Sequence, residues 1–193
     1  MLDPSNSPLP QTPSSETGSM PVCRPSPHRP RLDALSAAGI PALAEMFTAA
    51  PETVDFTHLT GDLVMRTFPV PGTRVLGALM RRPGYFWVAK SFRHVDGGMA
   101  YGHNVLRLLG GMRALNFVAT VGESAFDGRA VVRLDYADPR VGTPGPLRRV
   151  YDELREVEPG LWLGPTYRKK RGGNLSSMGW FALDASVEFD GPL

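Results

Sequence analysis

Between Leu115 and Asp184 the chain runs through short stretches of strand-like sequence broken by turns, and this pattern restricts the fold more than any other feature. Residues 115–121 and 130–136 are separated by eight residues containing Asp127-Gly128, a pair that tolerates the positive φ of a tight turn. Residues 161–167 and 178–185 repeat the device around the basic, glycine-rich RKKRGGNLSS. The stretch predicts four strands and three connections, with each pair of strands forming an antiparallel hairpin. Between the pairs, PLRRVYDELREV is ambiguous: Leu147, Val150, Tyr151 and Leu154 follow i, i+3, i+4, i+7 as on an amphipathic helix, while a short strand would alternate.

Upstream, GDLVMRTF at 61–68 alternates as a first strand and is stopped by Pro69 and Pro71. TRVLGALMRR fits a helical stripe or a strand, YFWVAKSFR at 85–93 reads as an aromatic strand, and residues 99–109 offer another between Asp96-Gly97-Gly98 and Gly110-Gly111. Leu35, Ile40, Leu43 and Phe47 recur at roughly helical spacing, with Asp33 as a candidate N-cap and Pro41 as a break or as the first residue of a second helix. One or two short helices over about 33–50 are expected to lie across one mouth or side of the sheet. Residues 1–31 are rich in proline and serine and poor in large apolar side chains, so they are expected to form a disordered tail. Residues 32–193 then form a single domain.

Six to eight short strands with turns every eight to twelve residues predict a mainly β sandwich or barrel, and closure of a barrel removes the exposed edges. With 193 residues, 42% of them hydrophobic, there is enough apolar material for one sizeable core. A formal charge of +2 and a sequence pI near 8.9 fall short of a nucleic-acid-binding domain, and the basic Arg168–Arg171 cluster reads as a solvated hairpin tip. The single cysteine, Cys23, excludes an internal disulfide and suits a reducing compartment. No apolar run is long enough to span a membrane, and the N-terminus has neither the basic start nor the apolar core of a secretory signal, so a cytoplasmic protein is expected.

WVAKSF (87–92), SAFDGRAVVRLDY (124–136), DELREVEPGLWLG (152–164) and MGWFALD (178–184) together resemble the lipocalin-like, calycin-type small β-barrel proteins. The likeness covers roughly residues 60–185. It is nearest to the bacterial barrel proteins with an N-terminal Gly-x-Trp-x-Gly signature, in whose place this chain has Gly61-Asp62-Leu63-Val64-Met65. What the resemblance implies is an antiparallel barrel around an apolar cavity for a hydrophobic small molecule, or the same cavity used by a biosynthetic enzyme.

The residues themselves argue against several chemistries. His28, His58, His94 and His103 show no His-x-x-x-His, and there is no cysteine pair, so no metal is expected. No nucleophile elbow, P-loop or dinucleotide fingerprint occurs, so no cofactor is expected either. What remains is polar residues within predicted strands. Lys90 shares a face with Phe86, Val88 and Phe92; if that face points inward the ammonium lies in an apolar cavity, and if Trp87 and Ala89 point inward Lys90 is solvated. Tyr101, His103 and Asn104 in YGHN supply a phenol, an imidazole and an amide, with Tyr101 and His103 on one strand face and Asn104 on the other. The candidate catalytic residues are therefore Tyr101, His103 and Lys90. The candidate ligand-binding residues are Trp87, Asn104, Phe117, Tyr151, Trp162, Tyr167 and Trp180, aromatics that equally serve as core. In the 152–156 band, Asp152 and Glu156 with Arg149 read as ion pairs on a solvated helix face. Three functions follow: a binder of a hydrophobic small molecule or lipid-like metabolite, a cofactor-independent cyclase or isomerase using the same cavity, and an interaction module whose barrel is filled. The partner expected is a small molecule rather than a nucleic acid.

Overall fold

The computed structural model describes residues 29–52, 55–69, 87–96, 98–107, 111–143 and 145–191. Residues 1–28 of the expected tail and the ambiguous TRVLGALMRR segment lie outside them; the last residues assigned to that tail, Pro30 and Arg31, instead open the helix. Eight strands close into one antiparallel barrel in chain order, each paired with its sequence neighbour and the last with the first. They are β1 (Gly61–Pro69), β2 (Trp87–Asp96), β3 (Met99–Leu106), β4 (Met112–Glu123), β5 (Ala130–Asp135), β6 (Val150–Glu158), β7 (Leu161–Lys169) and β8 (Leu175–Asp184). Closure gives each strand a neighbour on both sides, so the sheet has no free edge strand.

The 115–184 stretch holds five strands rather than four, because the ambiguous segment is a 3-10 turn, Gly145–Arg149, followed by β6. The helical spacing of Val150, Tyr151 and Leu154 is overridden by pairing on both sides, with Leu154 opposite Val132 of β5 and Tyr151 opposite Tyr167 of β7. Alternation therefore governs: Asp152 and Leu154 point into the barrel, while Tyr151, Glu153 and Arg155 point outward. The charged band is not a solvated helix face, since Asp152, Glu153 and Arg155 are all buried.

One helix, α1 (Pro30–Ala49), packs on the outer wall of the barrel against β1, β6, β7 and β8. It starts earlier than the N-cap reading of Asp33 implied. Arg29 occupies the cap position, and the Asp33 carboxylate accepts the Arg29 backbone N–H at 3.3 Å. The rod is kinked at Gly39, whose φ of 79° only glycine adopts cheaply, and Pro41 opens the second segment. Leu32, Leu35, Leu43 and Phe47 face the barrel, packed on Val64, Val131, Leu163 and Trp180, and each is worth roughly 1.5–3 kcal/mol of burial. Phe47, Phe126 and Trp180 meet edge to face with centroids 5.5–5.8 Å apart. Among the described residues no helix is long and apolar enough to cross a membrane.

Inside, the barrel is divided along its axis. Toward the end where β1 begins, Phe56 and Leu59 from the segment before β1 join Leu63, Phe92, Trp162 and Leu183 in a solid core. Toward the opposite end the interior opens into a cavity. The barrel is thus filled in one half and hollow in the other.

Candidate functional site

The cavity has a volume of about 180 Å³ and is walled by residues from the second half of β1, the starts of β2 and β4, the middle of β8 and the 3-10 turn: Met65, Phe68, Trp87, Leu115, Leu147 and Phe181 among others. At its floor stands a buried polar cluster from four elements: Lys90 of β2, Asn104 of β3, Tyr136 just after β5 and Asp152 of β6. Register brings them together, since Lys90 is directly opposite Asn104 across the β2–β3 ladder, and Asp152 opposite Leu134, two residues before Tyr136.

Lys90 faces inward, and so does Trp87, although strict alternation puts them on opposite faces. A β-bulge between Trp87 and Ala89 explains this, because the extra residue shifts the phase of the strand. Val88 and Ala89 then both pack outside, against Val105 and Phe189. A second irregularity lies opposite, where β4 slips between Phe117 and Ala114. Leu115 there takes φ 57°, the left-handed conformation among non-glycine residues, at a cost of about 1 kcal/mol or more. It puts the Leu115 carbonyl 3.2 Å from the Asn104 amide nitrogen, which donates to it. Both departures from regular sheet border the cavity.

The hydrogen bonding of the cluster is almost complete. The Lys90 ammonium donates to Asn104 Oδ1 at 2.7 Å, to Tyr136 Oη at 2.7 Å and to Asp152 Oδ2 at 3.0 Å, which engages its three hydrogens. Tyr136 Oη donates to Asp152 Oδ2 at 2.8 Å, and Asn104 Nδ2 donates to Leu115 O and to Tyr136 Oη, both at 3.2 Å. Asp152 Oδ1 alone has no partner, and it is buried. The rings of Phe117, Tyr136 and Phe181 lie 4.9–5.4 Å from the ammonium and replace part of its lost hydration. Burial draws the proton affinity of Lys90 down from its ordinary range, and the Asp152 charge pulls it partly back. Burial and the same aspartate push the Tyr136 phenol well up, so it remains a donor.

The other expected site residues are distributed differently. Phe117 is fully buried below the cluster, its ring seated over Gly102, where a Cβ would fall 2.3 Å from the ring carbons. Trp162 lies in the filled half, with its buried indole N–H unpartnered. Trp180 borders the cavity while its ring packs on Phe47 and Phe126. Tyr151 and Tyr167 stack on the outer wall at 6.2 Å, with Arg133 and Lys169 both over the Tyr151 ring at 5.0 and 5.3 Å. Burial pushes both phenols up.

Tyr101 and His103 also sit on the outer wall, around a shallow groove with Arg93, Asn116 and Arg140. His103 Nε2 is 2.7 Å from Arg113 Nη1, which also pairs with Asp62, and burial together with the Arg113 charge lowers its pKa. The structure thus brings Lys90, Asn104 and Trp87 to one cavity and holds Tyr101 and His103 on the other side of the wall. Among the described residues no group of three His, Cys, Asp or Glu side chains could hold a metal ion.

Tyr136 is not among the site residues expected from the sequence, and Asp152 is expected only on a solvated helix face. Alternation with Val132 and Leu134 placed Tyr136 inward, and reading 150–158 as a strand would have placed Asp152 beside Leu154.

No protein-family model matches this chain, and no curated protein does. Among solved structures, the chain is similar to a crystal structure of a protein from Thermomonospora curvata, with a TM-score of 0.48 and 18% identity, over 80% of this chain and 95% of that one.

Proposed function

We propose that the barrel binds a hydrophobic small molecule in its cavity, in the manner of lipocalin-like, calycin-type proteins. The observation that carries this reading is the pairing of apolar walls with a convergent, buried polar cluster that leaves one carboxylate oxygen unpartnered. A scaffold barrel has no use for such an arrangement. A buried ion pair is often no more stabilising than well-packed hydrophobic residues, so stability alone does not account for it.

Native mass spectrometry of the freshly purified full chain, followed by solvent extraction, tests it. The expected result is an adduct of small-molecule mass that is lost on extraction. A protein that emerges empty and whose melting temperature is raised by none of a panel of ring-sized apolar compounds overturns the reading.

A cofactor-independent isomerase or cyclase in the same cavity is the second reading, favoured by one feature: the free oxygen of Asp152 can accept a proton beside a tyrosine that keeps its own. Prolonged incubation separates the two readings. A binder returns the extracted molecule unchanged, and an enzyme converts it.

A further inference from the structure

We infer that the open end of the barrel docks on an anionic lipid bilayer, with the cavity mouth turned toward the membrane. The inference goes beyond the cavity reading and rests on where the charges lie. The antiparallel order puts the start of β6, the end of β7 and the start of β8 at the open end. Two connections there, the 3-10 turn before β6 and the β7–β8 turn with its flanks, carry Arg148, Arg149, Arg168, Lys170 and Arg171, all exposed. Among the described residues none of the five has a carboxylate partner, and Arg148 donates only to the Ala137 carbonyl, at 3.1 Å. Arg168 stands directly opposite Val150 across the β6–β7 ladder, and Val150 lines the cavity, so this cation sits on the inner face at the lip. The turn beside it is ordered: Lys170 N donates to Asn174 O at 2.8 Å and Gly173 N to Lys170 O at 3.2 Å.

The filled end has the opposite sign. Asp55, Glu123 and Glu158 are exposed there, and Arg31 is already paired with Glu158 and Asp184. A chain whose formal charge is only +2 is thus basic at one end and acidic at the other, which orients it at a charged surface rather than merely attracting it. The five cations are spread over two exposed connections, an arrangement that meets an extended array of headgroups rather than one enclosed phosphate. Two exposed methionines lie at the same end: Met112, 39% exposed, at the start of β4, and Met178, 48% exposed, on the cavity wall. A bilayer satisfies both kinds of group, because headgroups meet the cations while the interface takes up the methionines and closes the apolar mouth. A nucleic acid offers the phosphates without the apolar cover. Docked in this way, a guest passes between hydrocarbon and cavity without crossing water.

The test is flotation of the full chain with sealed vesicles of phosphatidylcholine, alone or mixed with phosphatidylglycerol. The protein is expected to bind the anionic vesicles at least about tenfold more tightly than the neutral ones, and to be released as salt shortens the range of the attraction. Arg168→Glu/Lys170→Glu/Arg171→Glu is expected to lose at least about tenfold in affinity for the anionic vesicles at an unchanged melting temperature. Should that variant fail to fold, Lys170→Ser/Arg171→Ser is used, with a loss of at least about threefold expected. Adding Glu123→Lys/Glu158→Lys to the reversed variant returns positive charge to the filled end and is expected not to restore binding. Restoration would make net charge, not the mouth, the cause and overturns the inference. Equal binding to both kinds of vesicle, or no binding to the anionic ones, overturns it as well. Single-stranded RNA that displaces the protein from the vesicles at physiological salt overturns the assignment to lipid. Vesicle binding by a barrel that carries no guest upholds this inference where the cavity reading has fallen.

Discussion

β6 carries two buried ion pairs three residues apart, one on each face of the barrel wall, and they are built to different ends. On the outside, Arg155 donates to both Asp127 oxygens at 2.8 and 3.0 Å, to the Phe47 carbonyl at 2.9 Å and to the Ala130 carbonyl at 3.1 Å, with its guanidinium 4.3 Å over the Phe47 ring. Both Asp127 oxygens are occupied, and the pair fastens α1 and the β4–β5 loop to the wall. Inside, Asp152 gives one oxygen to Lys90 and Tyr136 and leaves the other buried and unpartnered. The outer pair has every acceptor filled, and the inner pair leaves one unfilled.

That contrast can be broken most severely at Lys90. Lys90→Met strands Asp152 as an unpaired buried charge and is expected to cost about 3–5 kcal/mol in urea unfolding. Adding Asp152→Leu is expected to recover most of the loss, because the charge goes with its partner. If the two losses simply add, the pair is not the coupled unit described here.

Asp127→Asn is expected to cost about 2 kcal/mol by weakening charge-assisted bonds to Arg155, and to leave the affinity for an apolar probe unchanged. A loss of binding would mean that the outer pair shapes the cavity and that the two are not separable. The outer pair also responds to pH. Hydrogen bonds from Arg155 hold the Asp127 carboxyl below its ordinary pKa, so the folded state binds this proton less readily than the unfolded chain. The stabilisation is therefore complete above about pH 4, the ordinary carboxylate range, and is lost as the pH falls through the folded value. Thermal melts from pH 6 to pH 3 should show a shallower acid decline for Asp127→Asn than for the wild type; parallel declines would remove Asp127 from the acid response.

The smallest effect on stability is expected at the rim. Met178 borders the cavity and is 48% exposed, so Met178→Glu should alter unfolding by no more than about 0.5 kcal/mol. It should nevertheless weaken the binding of an apolar probe several-fold by placing a charge beside the mouth. Unaltered affinity would move the entrance away from β8.

Much of the barrel was legible in local sequence. The Asp127-Gly128 turn and the alternation of Val132, Arg133, Leu134 and Asp135 fixed a hairpin and its faces, because a strand with one buried side repeats every two residues. β6 was not, because its apolar residues satisfy two periods at once and only the ladders to β5 and β7 choose between them. The site suffered more than the fold from that ambiguity. Read as a helix, 150–157 turns Asp152 toward solvent, and the partner of Lys90 disappears from view.

That strands form, roughly where they turn, and that a lysine sits in an aromatic strand all follow from periodicity and turn chemistry within a few residues. Tertiary structure alone decided which way Lys90 faces, through a bulge that shifts the phase of β2, and that it meets Asp152, 62 residues away, across the closed wall. The reason is that register and closure are set by long-range pairing. A single extra residue in one strand reverses every later side chain, and nothing in the neighbouring sequence announces it.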